Sequence, residues 1–362
     1  MPSPEGKEEA FREELLEWFD EHRRELPWRH VDNPYAVWVS EIMLQQTQVA
    51  TVIDYFERWM ARFPSVEALA QADEEAVLEE WSGLGYYRRA RFLHRAAKDV
   101  VEQWGGEIPS TADELRELPG IGPYTAGAVA SIAFGQVEPL VDGNVMRVIS
   151  RLYAIEGEPR KKPAKAEIWG RAGELVDPER PGDFNQGLME LGSLVCSPTR
   201  PKCLICPVRH HCRAQEMGRA EAFPESGERA APRPLRGRTA VVHRSDGEGR
   251  YFLVQRRPDE GLLGGLWEFS TVEKGGSRFP PVAALKEAVQ QAVEGAEVGR
   301  SVATVEHVFS HRRLKLRVHD VEVDEGVDED GWGEARWVKE EELASLATAA
   351  LFDKVYGAWK AR

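Results

Sequence analysis

The hydrophobic pattern changes its period once along the chain, and this change divides the sequence into two parts. Up to residue 213 apolar residues recur at helical spacing, as in "EEAFREELLEWFDEHRREL", where Phe11, Leu15 and Phe19 share one helix face. After residue 238, short apolar runs have the pattern of strands. The chain of 362 residues therefore predicts an all-helical domain followed by a smaller α+β domain.

A segment rich in glycine, proline and arginine separates the two parts. Residues 217–237, "MGRAEAFPESGERAAPRPLRG", lack any apolar period, which is typical of an interdomain linker. We therefore place the helical domain at residues 6–216 and the α+β domain at residues 238–362.

Long helical stretches are expected in the first domain at 34–63, where Pro34 begins the pattern, and at 65–85, which ends at glycines. In the second domain helices are expected at 281–295 and 338–361. The remaining apolar runs of that domain predict strands. These runs are "TAVVHR", "YFLVQRR", "LWEFSTV", "VEHVFSH" and "LKLRVHDVEV".

The chain is acidic, with a net charge of −14, which by itself argues against nucleic acid as a partner. Positive charge is nevertheless concentrated in four runs, at 88–98, 196–220, 228–257 and 309–317. Such runs can be solvated faces of an acidic protein or local sites for phosphate groups. No long apolar run and no signal-peptide core occurs, so the expected location is the cytoplasm, without a membrane partner.

All four cysteines lie between residues 196 and 212, in the pattern C-x6-C-x2-C-x5-C. Clustered cysteines in a chain without a secretory signal indicate a metal site more often than disulfides. Four thiolates in one loop suit a [4Fe–4S] cluster or a zinc ion, and free thiols are the third alternative. The spacing favours iron–sulfur, because zinc ribbons usually pair two C-x2-C knuckles and only one occurs here.

The stretch "LPGIGPYTAGAVA" has the pattern of a short turn that opens into a helix. Gly120 and Gly122 allow a sharp turn and expose backbone amides at a helix N-terminus, where a DNA phosphate can bind. An ordinary connection between helices is the alternative. Tyr124 lies at the mouth of this turn. Further on, Asp142 in "PLVDGNVMRV" can be a helix N-cap or, beside a phosphate site, a carboxylate that faces a sugar.

Glu41 is a second carboxyl group of interest, because neighbours such as Trp38, Val39 and Ile42 are apolar. A glutamate buried in such a helix is costly unless it is protonated or paired. Alternatively, Glu41 lies exposed on a polar helix face. If it is buried, Glu41 and Asp142 form a pair of carboxyl groups in unlike environments. Glycosidic cleavage needs such a pair, one as proton donor and one beside the sugar cation.

Taken together, these motifs resemble the endonuclease III superfamily of DNA glycosylases, through the glycine turn, the "VDGNVMRV" segment and the highly specific cysteine spacing. Within that superfamily the sequence is similar to the MutY family of adenine DNA glycosylases, over nearly the whole chain. The segments that carry this likeness are "LPWR" (26–29), "SEIMLQQTQV" (40–49), "GLGYYRRAR" (83–91), "GIGPYTAGA" (120–128), "FNQGLMELGSLVC" (184–196), "GLLGGLWEFS" (261–270) and "EHVFSH" (306–311).

The resemblance implies a monofunctional adenine DNA glycosylase. Bifunctional relatives carry a lysine where this chain has Tyr124, and a hydroxyl group cannot form the Schiff base that leads to strand cleavage. The implied substrate is duplex DNA with adenine opposite 8-oxoguanine or guanine, and adenine removal initiates base excision repair. The implied cofactor is one [4Fe–4S] cluster per chain, held by Cys196, Cys203, Cys206 and Cys212. A monomer in the bacterial cytoplasm, at the nucleoid, is expected.

The same resemblance implies roles for single residues. Glu41 would protonate adenine at N7 and then help to activate water, while Asp142 would stabilise or trap the sugar cation, organised by Tyr124 and Asn144. The implied adenine pocket comprises Leu26, Trp28, Arg29, Leu44 and Gln186. Contacts to DNA and to the opposite base are implied for Gln46, Thr47, Leu84, Tyr86 (as an intercalating wedge), Phe309, Ser310 and His311, and Gly120 and Gly122 form the implied phosphate-binding hairpin.

The second domain resembles a Nudix fold. An active Nudix hydrolase needs an R-E-x-x-E-E pattern to hold magnesium, and the helix "PVAALKEAVQQAVEG" lacks it. Nucleotide hydrolysis is therefore not expected, and the domain is expected to recognise 8-oxoguanine through "FSH". Arg312, Arg313 and Lys315 beside this loop suit phosphates. A strand–turn edge with solvated basic residues is the alternative for this segment.

Two other functions compete at this stage. A thymine or oxidised-pyrimidine glycosylase would carry lysine at position 124 and no Nudix-like domain. A non-catalytic iron–sulfur protein that binds DNA or transfers electrons has no need of a Glu41–Asp142 pair.

Overall fold

A computed structural model describes residues 4–29, 32–225, 227, 231–258, 261–309, 311–324 and 335–362 of the chain. It divides into two compact units. The first comprises Met1–Ala72 and Phe92–Glu228, and the second comprises Asp73–Arg91 and Arg229–Arg362. None of the helices in the described part combines the length and apolar character that a membrane span requires.

The first unit is helical, as predicted, and no strand occurs among its described residues. It contains ten whole α-helices among those residues, together with the greater part of an eleventh, α6, which begins in the second unit. Short 3₁₀ turns connect the last of them. The helices are α1 (Pro4–His22), α2 (Pro34–Leu44), α3 (Val49–Arg62), α4 (Val66–Gln71), α6 (Arg88–Trp104), α7 (Ala112–Leu115), α8 (Pro123–Phe134), α9 (Gly143–Tyr153), α10 (Ala164–Leu175), α11 (Pro181–Leu194) and α12 (Arg213–Glu216), with α5 (Glu74–Glu80) in the second unit.

Helices α1, α9, α10 and α11 enclose an apolar core in the first unit. Leu15, Ile149, Ile168 and Phe184 are fully buried there. Small residues bring the elements close together. A Cβ atom at Gly127 of α8 would lie 2.1 Å from the carbonyl oxygen of Pro139, so α8 presses directly against the segment that leads to α9. This packing fixes the two helix N-termini that carry Tyr124 and Asp142.

The stretch 34–63 is two helices rather than the single helical stretch expected from its pattern. Helix α2 ends at Leu44 and α3 begins at Val49, and between them Gln46 has a positive φ of 59°. Likewise, 65–85 divides into α4 and α5. Neither glycine nor proline marks the break after Leu44, where only four polar residues, 45–48, interrupt the apolar pattern.

Among its described residues, the second unit contains a seven-stranded mixed sheet with strand order β3-β2-β1-β6-β5, in which β4 also pairs with β1 and β7 with β2. Strands β1 and β6 are parallel and the other pairs are antiparallel. The elements are β1 (Arg233–Asp246), β2 (Gly249–Arg256), β3 (Trp267–Glu268), β4 (Ser270–Gly275), α13 (Val282–Ala292), β5 (Ser301–Val308), β6 (Arg312–Glu322), β7 (Ala335–Lys339) and α14 (Ala350–Lys360).

Helix α13 covers one sheet face, where Ala240, Val242, Leu285 and Val289 form a buried core. The α+β composition is as predicted.

Three local expectations are corrected. The stretch 338–361 starts in strand β7 and a 3₁₀ helix before α14, because β7 pairs with the distant β2. Strand β1 starts at Arg233, inside the expected linker. The run "LWEFSTV" forms two short strands. The domain boundaries themselves stay a prediction.

Candidate active site

Glu41 lies on α2, and the start of that helix explains its position. Asn33 caps the helix through its side-chain oxygen, which accepts hydrogen bonds from the backbone N–H groups of Tyr35 (3.0 Å) and Ala36 (3.3 Å). Pro34 occupies the first turn, where its missing N–H is harmless. Glu41 follows two turns later and is 4% exposed, so the buried alternative applies and not the solvent-exposed one.

Tyr124 stands over Glu41 from the first turn of α8. Gly122 is the N-cap of this helix and Pro123 its first residue. The Tyr124 hydroxyl donates a short hydrogen bond to Oε2 of Glu41, and the Sδ atom of Met189 lies 3.8 Å from the same hydroxyl. The tyrosine is thus a direct partner of the buried carboxyl group.

Asp142 is the N-cap of α9, so the capping interpretation is also correct. Its Oδ1 atom accepts hydrogen bonds from the backbone N–H groups of Asn144 (2.8 Å) and Val145 (2.7 Å), and its Oδ2 atom accepts one from the Asn144 side-chain amide (2.8 Å). Three donors at a helix N-terminus stabilise a carboxylate anion. The N-cap role of Asp142 is therefore compatible with a second role beside a developing cation, because the capping hydrogen bonds hold the carboxylate in place.

The two carboxyl groups have unlike environments. Burial raises the pKa of Glu41 to about 7; the Tyr124 hydrogen bond lowers it, nearby Asp142 raises it, and Arg29 lowers it. Burial also raises the pKa of Asp142, but hydrogen bonds from Val145 and Asn144 act against this shift. Glu41 can thus hold a proton at neutral pH beside a hydrogen-bonded carboxylate, which is the arrangement that acid-assisted glycosidic cleavage requires.

Arg29 belongs to a buried ionic network beside the site. Its Nε atom donates to Oε1 of Gln186 (3.1 Å), Nη1 to the carbonyl of Arg24 (2.7 Å) and Nη2 to Oε2 of Glu190 (3.0 Å). Glu190 is 1% exposed and also accepts two bonds from the Arg24 guanidinium, at 2.6 and 2.9 Å. Arg29 and Gln186, two of the expected pocket residues, are therefore brought together and held rigidly.

Glu190 and Arg24 were missed in the sequence. The signal was present, because Glu190 stands in "GLMELGSL" as Glu41 stands among apolar neighbours.

The other expected pocket residues lie in the same unit. The Trp28 ring is buried and meets Phe56 edge-on at 5.4 Å, whereas Leu26 and Leu44 are half-buried. Gln46 is exposed and Thr47 half-buried in the turn after α2.

The glycine hairpin connects α7 to α8. Gly120 has a φ of 80°, and a Cβ atom there would lie 2.5 Å from Cβ of Phe92, so both its conformation and its surroundings require glycine. Gly122 caps α8 without a side-chain hydrogen bond. The hairpin thus offers uncapped backbone N–H groups at a helix N-terminus, as a phosphate site needs.

The four cysteines follow α11 as free, half-buried thiols. Burial and, to a lesser degree, the charges of the other three cysteines raise the pKa of Cys206 to about 12, against a backbone hydrogen bond from Val208 that lowers it. The four sulfur atoms thus act on one another electrostatically. Among the described residues, no three His, Cys, Asp or Glu side chains are placed to hold a single metal ion. Four thiols of one loop that repel one another as thiolates fit a cationic group that binds them all.

Arginines of α9 anchor this cysteine loop. Arg151 is 2% exposed and donates hydrogen bonds to Sγ of Cys196 (3.3 Å) and to the carbonyls of Ser197 (2.7 Å) and Pro198 (2.9 Å). One turn earlier, Arg147 donates to the carbonyl of Cys196 (2.7 Å) and to the side-chain oxygen of Asn144 (2.9 Å). Because Asn144 binds Asp142, hydrogen bonds run continuously from the cysteine loop to that carboxylate.

The remaining expected residues lie in the second unit. Leu84 is buried and Tyr86 is 46% exposed with a φ of 50°, in the turn between α5 and α6. Phe309 and His311 lie in the turn between β5 and β6, where the Phe309 N–H donates to the carbonyl of Arg312 (2.8 Å) and the Phe309 ring packs on His307. Ser310 lies outside the described residues.

Comparisons with known proteins agree with this geometry. Residues 39–173 match the family described as "HhH-GPD superfamily base excision DNA repair protein", and residues 238–358 match the family described as "NUDIX domain". A solved thermostable thymine-DNA glycosylase is 29% identical with a TM-score of 0.55, over 60% of this chain and all of that one.

Curated relatives with the name "Adenine DNA glycosylase" include a mouse and a human protein. The mouse (Mus musculus) protein is 40% identical and aligns over 96% of this chain and 77% of its own length. The human (Homo sapiens) protein is also 40% identical, over 96% of this chain and 73% of its own length. With the helical glycosylase fold, the Nudix-like second unit and this degree of identity along the whole sequence, the chain belongs to the adenine DNA glycosylase family.

Proposed function

We propose that the protein is a monofunctional DNA glycosylase that flips adenine out of duplex DNA, where it is paired with 8-oxoguanine or guanine, and cleaves its N-glycosidic bond. This step would initiate base excision repair. The observation that carries the proposal is the Glu41–Tyr124–Asp142 arrangement, in which a neutral acid and a hydrogen-bonded carboxylate meet beside a tyrosine hydroxyl. Thymine-DNA and oxidised-pyrimidine glycosylases are disfavoured because an amine at position 124 is absent.

In the proposed mechanism Glu41 donates its proton to adenine N7, which turns adenine into a better leaving group. Asp142 stabilises the sugar cation or attacks it, held in position by Asn144. Glu41, now ionised, helps to activate the water molecule that completes hydrolysis. Arg29 and Gln186, with Leu26, Trp28 and Leu44, would line the pocket of the flipped base. A mispaired base costs less to flip, so part of the selectivity is thermodynamic.

The four cysteines would hold one [4Fe–4S] cluster. The mutual repulsion of their thiolates and the hydrogen bond from Arg151 to Cys196 support a thiolate-bound group. The cluster would cross-link the loop that presents Arg200, Lys202 and Arg209, and this is a structural role. Through Arg147 the same loop would position Asn144 and Asp142.

The opposite base would be recognised by both units. Gln46 and Thr47, together with Leu84 and the wedge Tyr86, would contact DNA at the mispair, and Gly120 and Gly122 would bind a phosphate. Phe309, Ser310 and His311 would distinguish 8-oxoguanine from guanine.

Because the substrate would be chromosomal DNA, the proposed location is the bacterial cytoplasm at the nucleoid, and the proposed active form is a monomer.

The proposal is tested with a duplex that contains one A:8-oxoguanine pair, analysed on gels with and without alkali. We expect cleavage only after alkali treatment, because the adenine is removed and the strand stays intact. Glu41→Gln should bind the duplex but lower the single-turnover rate by about 10²–10⁴-fold. The matched control is Glu102→Gln, the same change on an exposed position of α6. Near-normal excision by Glu41→Gln, or cleavage without alkali, would contradict the proposal.

The opposite-base assignment has its own test. Ser310→Ala should reduce the preference for A:8-oxoguanine over A:G while the excision rate of A:G stays close to that of the unaltered chain. An unchanged ratio of the two single-turnover rates would contradict the assignment to this turn.

A further inference from the structure

Two of the four basic runs of the sequence become neighbours in the fold. The run at 228–257 supplies β1, the run at 309–317 supplies the start of β6, and these two strands pair in parallel. The register sets Arg236 opposite Lys315 and Arg238 opposite Arg317. Residues paired in this way point to the same face of a sheet. The catalytic mechanism uses neither pair.

Strand β4 extends the same row, because Lys274 is opposite Arg236 on the other side of β1. Arg313, two residues before Lys315, points to this face as well. We call this surface the cationic face, and it consists of Arg236, Arg238, Lys274, Arg313, Lys315 and Arg317. Within the described chain only Lys315 of this group pairs with an acid, Glu306 on β5 at 2.8 Å. The face therefore carries a net charge of +5 on a chain whose net charge is −14.

The positive charges act on one another. The pKa of Glu306 is lowered by its hydrogen bond to Lys315 and by the nearby charges of Lys315, Arg313 and Arg236. Burial lowers the pKa of Arg238, and the charge of Arg317 lowers it further. Like charges opposite each other on neighbouring strands destabilise a sheet. An arrangement that concentrates six cationic side chains around the single acidic partner found in the described chain is explained if an anion binds to it.

Phe279 organises the arginines of this face. Its ring centre lies 4.3 Å from the Arg317 guanidinium carbon and 5.9 Å from those of Arg236 and Arg238. Arg238 is held in addition by bonds from Nε to the carbonyl of Pro280 (2.7 Å) and from Nη1 to Nε2 of His319 (3.1 Å). The guanidinium groups are thus ordered before any ligand binds, which lowers the entropy that binding would cost.

We propose that the cationic face binds the phosphate backbone of duplex DNA, as a contact separate from the adenine site. Four of its six cations are arginines, whose planar fork matches phosphate oxygens. An acidic chain that binds a polyanion must concentrate positive charge locally, and this face does so. The proposal rests on the proposed function only in taking DNA as the partner. Such contacts give affinity and salt dependence and do not read bases.

The test uses the full-length protein with Arg236→Gln, Lys274→Gln and Arg317→Gln combined, because Arg238 is buried and supports the fold. The matched control replaces Lys286, Lys354 and Lys360 by Gln, three exposed charges on α13 and α14 of the same unit. The Kd for an undamaged duplex is measured by fluorescence anisotropy at several salt concentrations. The slope of log K against log salt changes by about 0.9 for each phosphate contact, so three lost contacts should make it shallower by about 2.7.

We expect the shallower slope and a weaker Kd for the combined variant only, with the single-turnover excision rate at saturating enzyme unchanged. A slope and Kd equal to those of the control would overturn the proposal and leave the face to an acidic protein partner. If the combined variant does not fold, the single variant Arg317→Glu takes its place in the same binding measurement, because Arg317 is exposed. An unchanged Kd of that variant overturns the proposal equally. Absence of excision by the unaltered chain would count against the proposed function and leave the comparison of slopes valid.

Discussion

The pKa values of two buried glutamates of the first unit shift in opposite directions because their neighbours differ. Burial raises the pKa of Glu41 to about 7, and a neutral hydroxyl group, that of Tyr124, donates to it. Burial also acts to raise the pKa of Glu190, but the hydrogen bonds from Arg24 and the charges of Arg29 and Arg24 outweigh it and lower that pKa. Glu41 is thus suited to donate a proton, and Glu190 to hold cations in place.

Tyr124→Phe should extend adenine excision to higher pH. The Tyr124 hydrogen bond lowers the pKa of Glu41, so its loss raises that pKa above about 7. Because a general acid must be protonated, the excision rate falls as pH rises through this pKa. Single-turnover rates across neutral pH should therefore show the falling limb at higher pH in the variant. A limb that stays in place or moves to lower pH would contradict this.

Glu190→Gln should move the falling limb of the excision rate to lower pH, opposite to the shift expected for Tyr124→Phe. Arg29 lowers the pKa of Glu41, and Glu190 neutralises part of the positive charge of Arg29. Without the carboxylate, the positive potential at Glu41 rises and its pKa falls, so activity is lost at lower pH. The free energy of unfolding should also fall, by about 3–5 kcal/mol, since two partly buried arginines lose their partner. A falling limb at the same pH in Glu190→Gln and in the unaltered chain would show that Glu190 has no electrostatic effect on the site.

At the level of residues, the sequence identified acids in apolar surroundings but not which acid is paired. Apolar neighbours predicted that Glu41 is buried, and it is. The same criterion applies to Glu190, yet its pairing depends on Arg24 and Arg29, more than 160 positions away. A pKa follows from such distant contacts, so no local pattern can predict it.

Helix termini, more than helix interiors, position the groups of the site. The capping side chain of Asn33, the Gly122–Pro123 start of α8 and the Asp142 cap were recognisable as local signals. The break between α2 and α3 was not, because Gln46 adopts a positive φ without a glycine or proline to mark it. Strand β7 was also missed, since its pairing with β2 joins residues about 80 positions apart. Elements set by local chemistry were predicted, and those set by distant pairing were not.

Gly192→Ala should disturb the packing of α11 against α9. A Cβ atom at Gly192 would lie 2.6 Å from Cβ of Asn144, the residue that holds Asp142. We expect a loss of about 1–3 kcal/mol in the free energy of unfolding, together with slower excision, because Asn144 must shift. Urea unfolding and single-turnover rates provide the measurements.

The matched control is Gly170→Ala in the middle of α10, where nothing lies within 4 Å of an added Cβ atom. Alanine there should increase stability by up to about 1 kcal/mol through helix propensity, without an effect on excision. Equal effects of the two substitutions would mean that the close approach of α11 to Asn144 has no importance for the site.

On the scale of the whole molecule, the sequence predicts two successive domains, whereas the contacts assign one segment of the helical part to the second unit. Residues 73–91 belong by contact to the second unit, although they lie within the helical part. Glu75 binds Arg336 (2.8 Å) and Trp267 (3.2 Å), and Glu74 binds Arg256 (3.1 Å). The segment has a helical period, so composition and periodicity assign it to the first domain. Only its partners reveal where it belongs.

The assignment of residues 73–91 to the second unit predicts how the chain responds to truncation. A chain of residues 1–228 keeps the segment 73–91 but removes its partners, including the Thr348 carbonyl, which accepts hydrogen bonds from the hydroxyls of Tyr87 (2.5 Å) and Ser82 (3.3 Å). We therefore expect backbone hydrogen exchange in 73–91 to accelerate after truncation, while exchange in α8 and α11 stays slow, because their packing lies within the first unit. Mass-spectrometric exchange of both chains measures this, with α8 and α11 as the internal control. Unchanged protection of 73–91 would mean that this segment is stabilised by the helical unit alone and that the boundary at residue 216 describes a domain that folds independently.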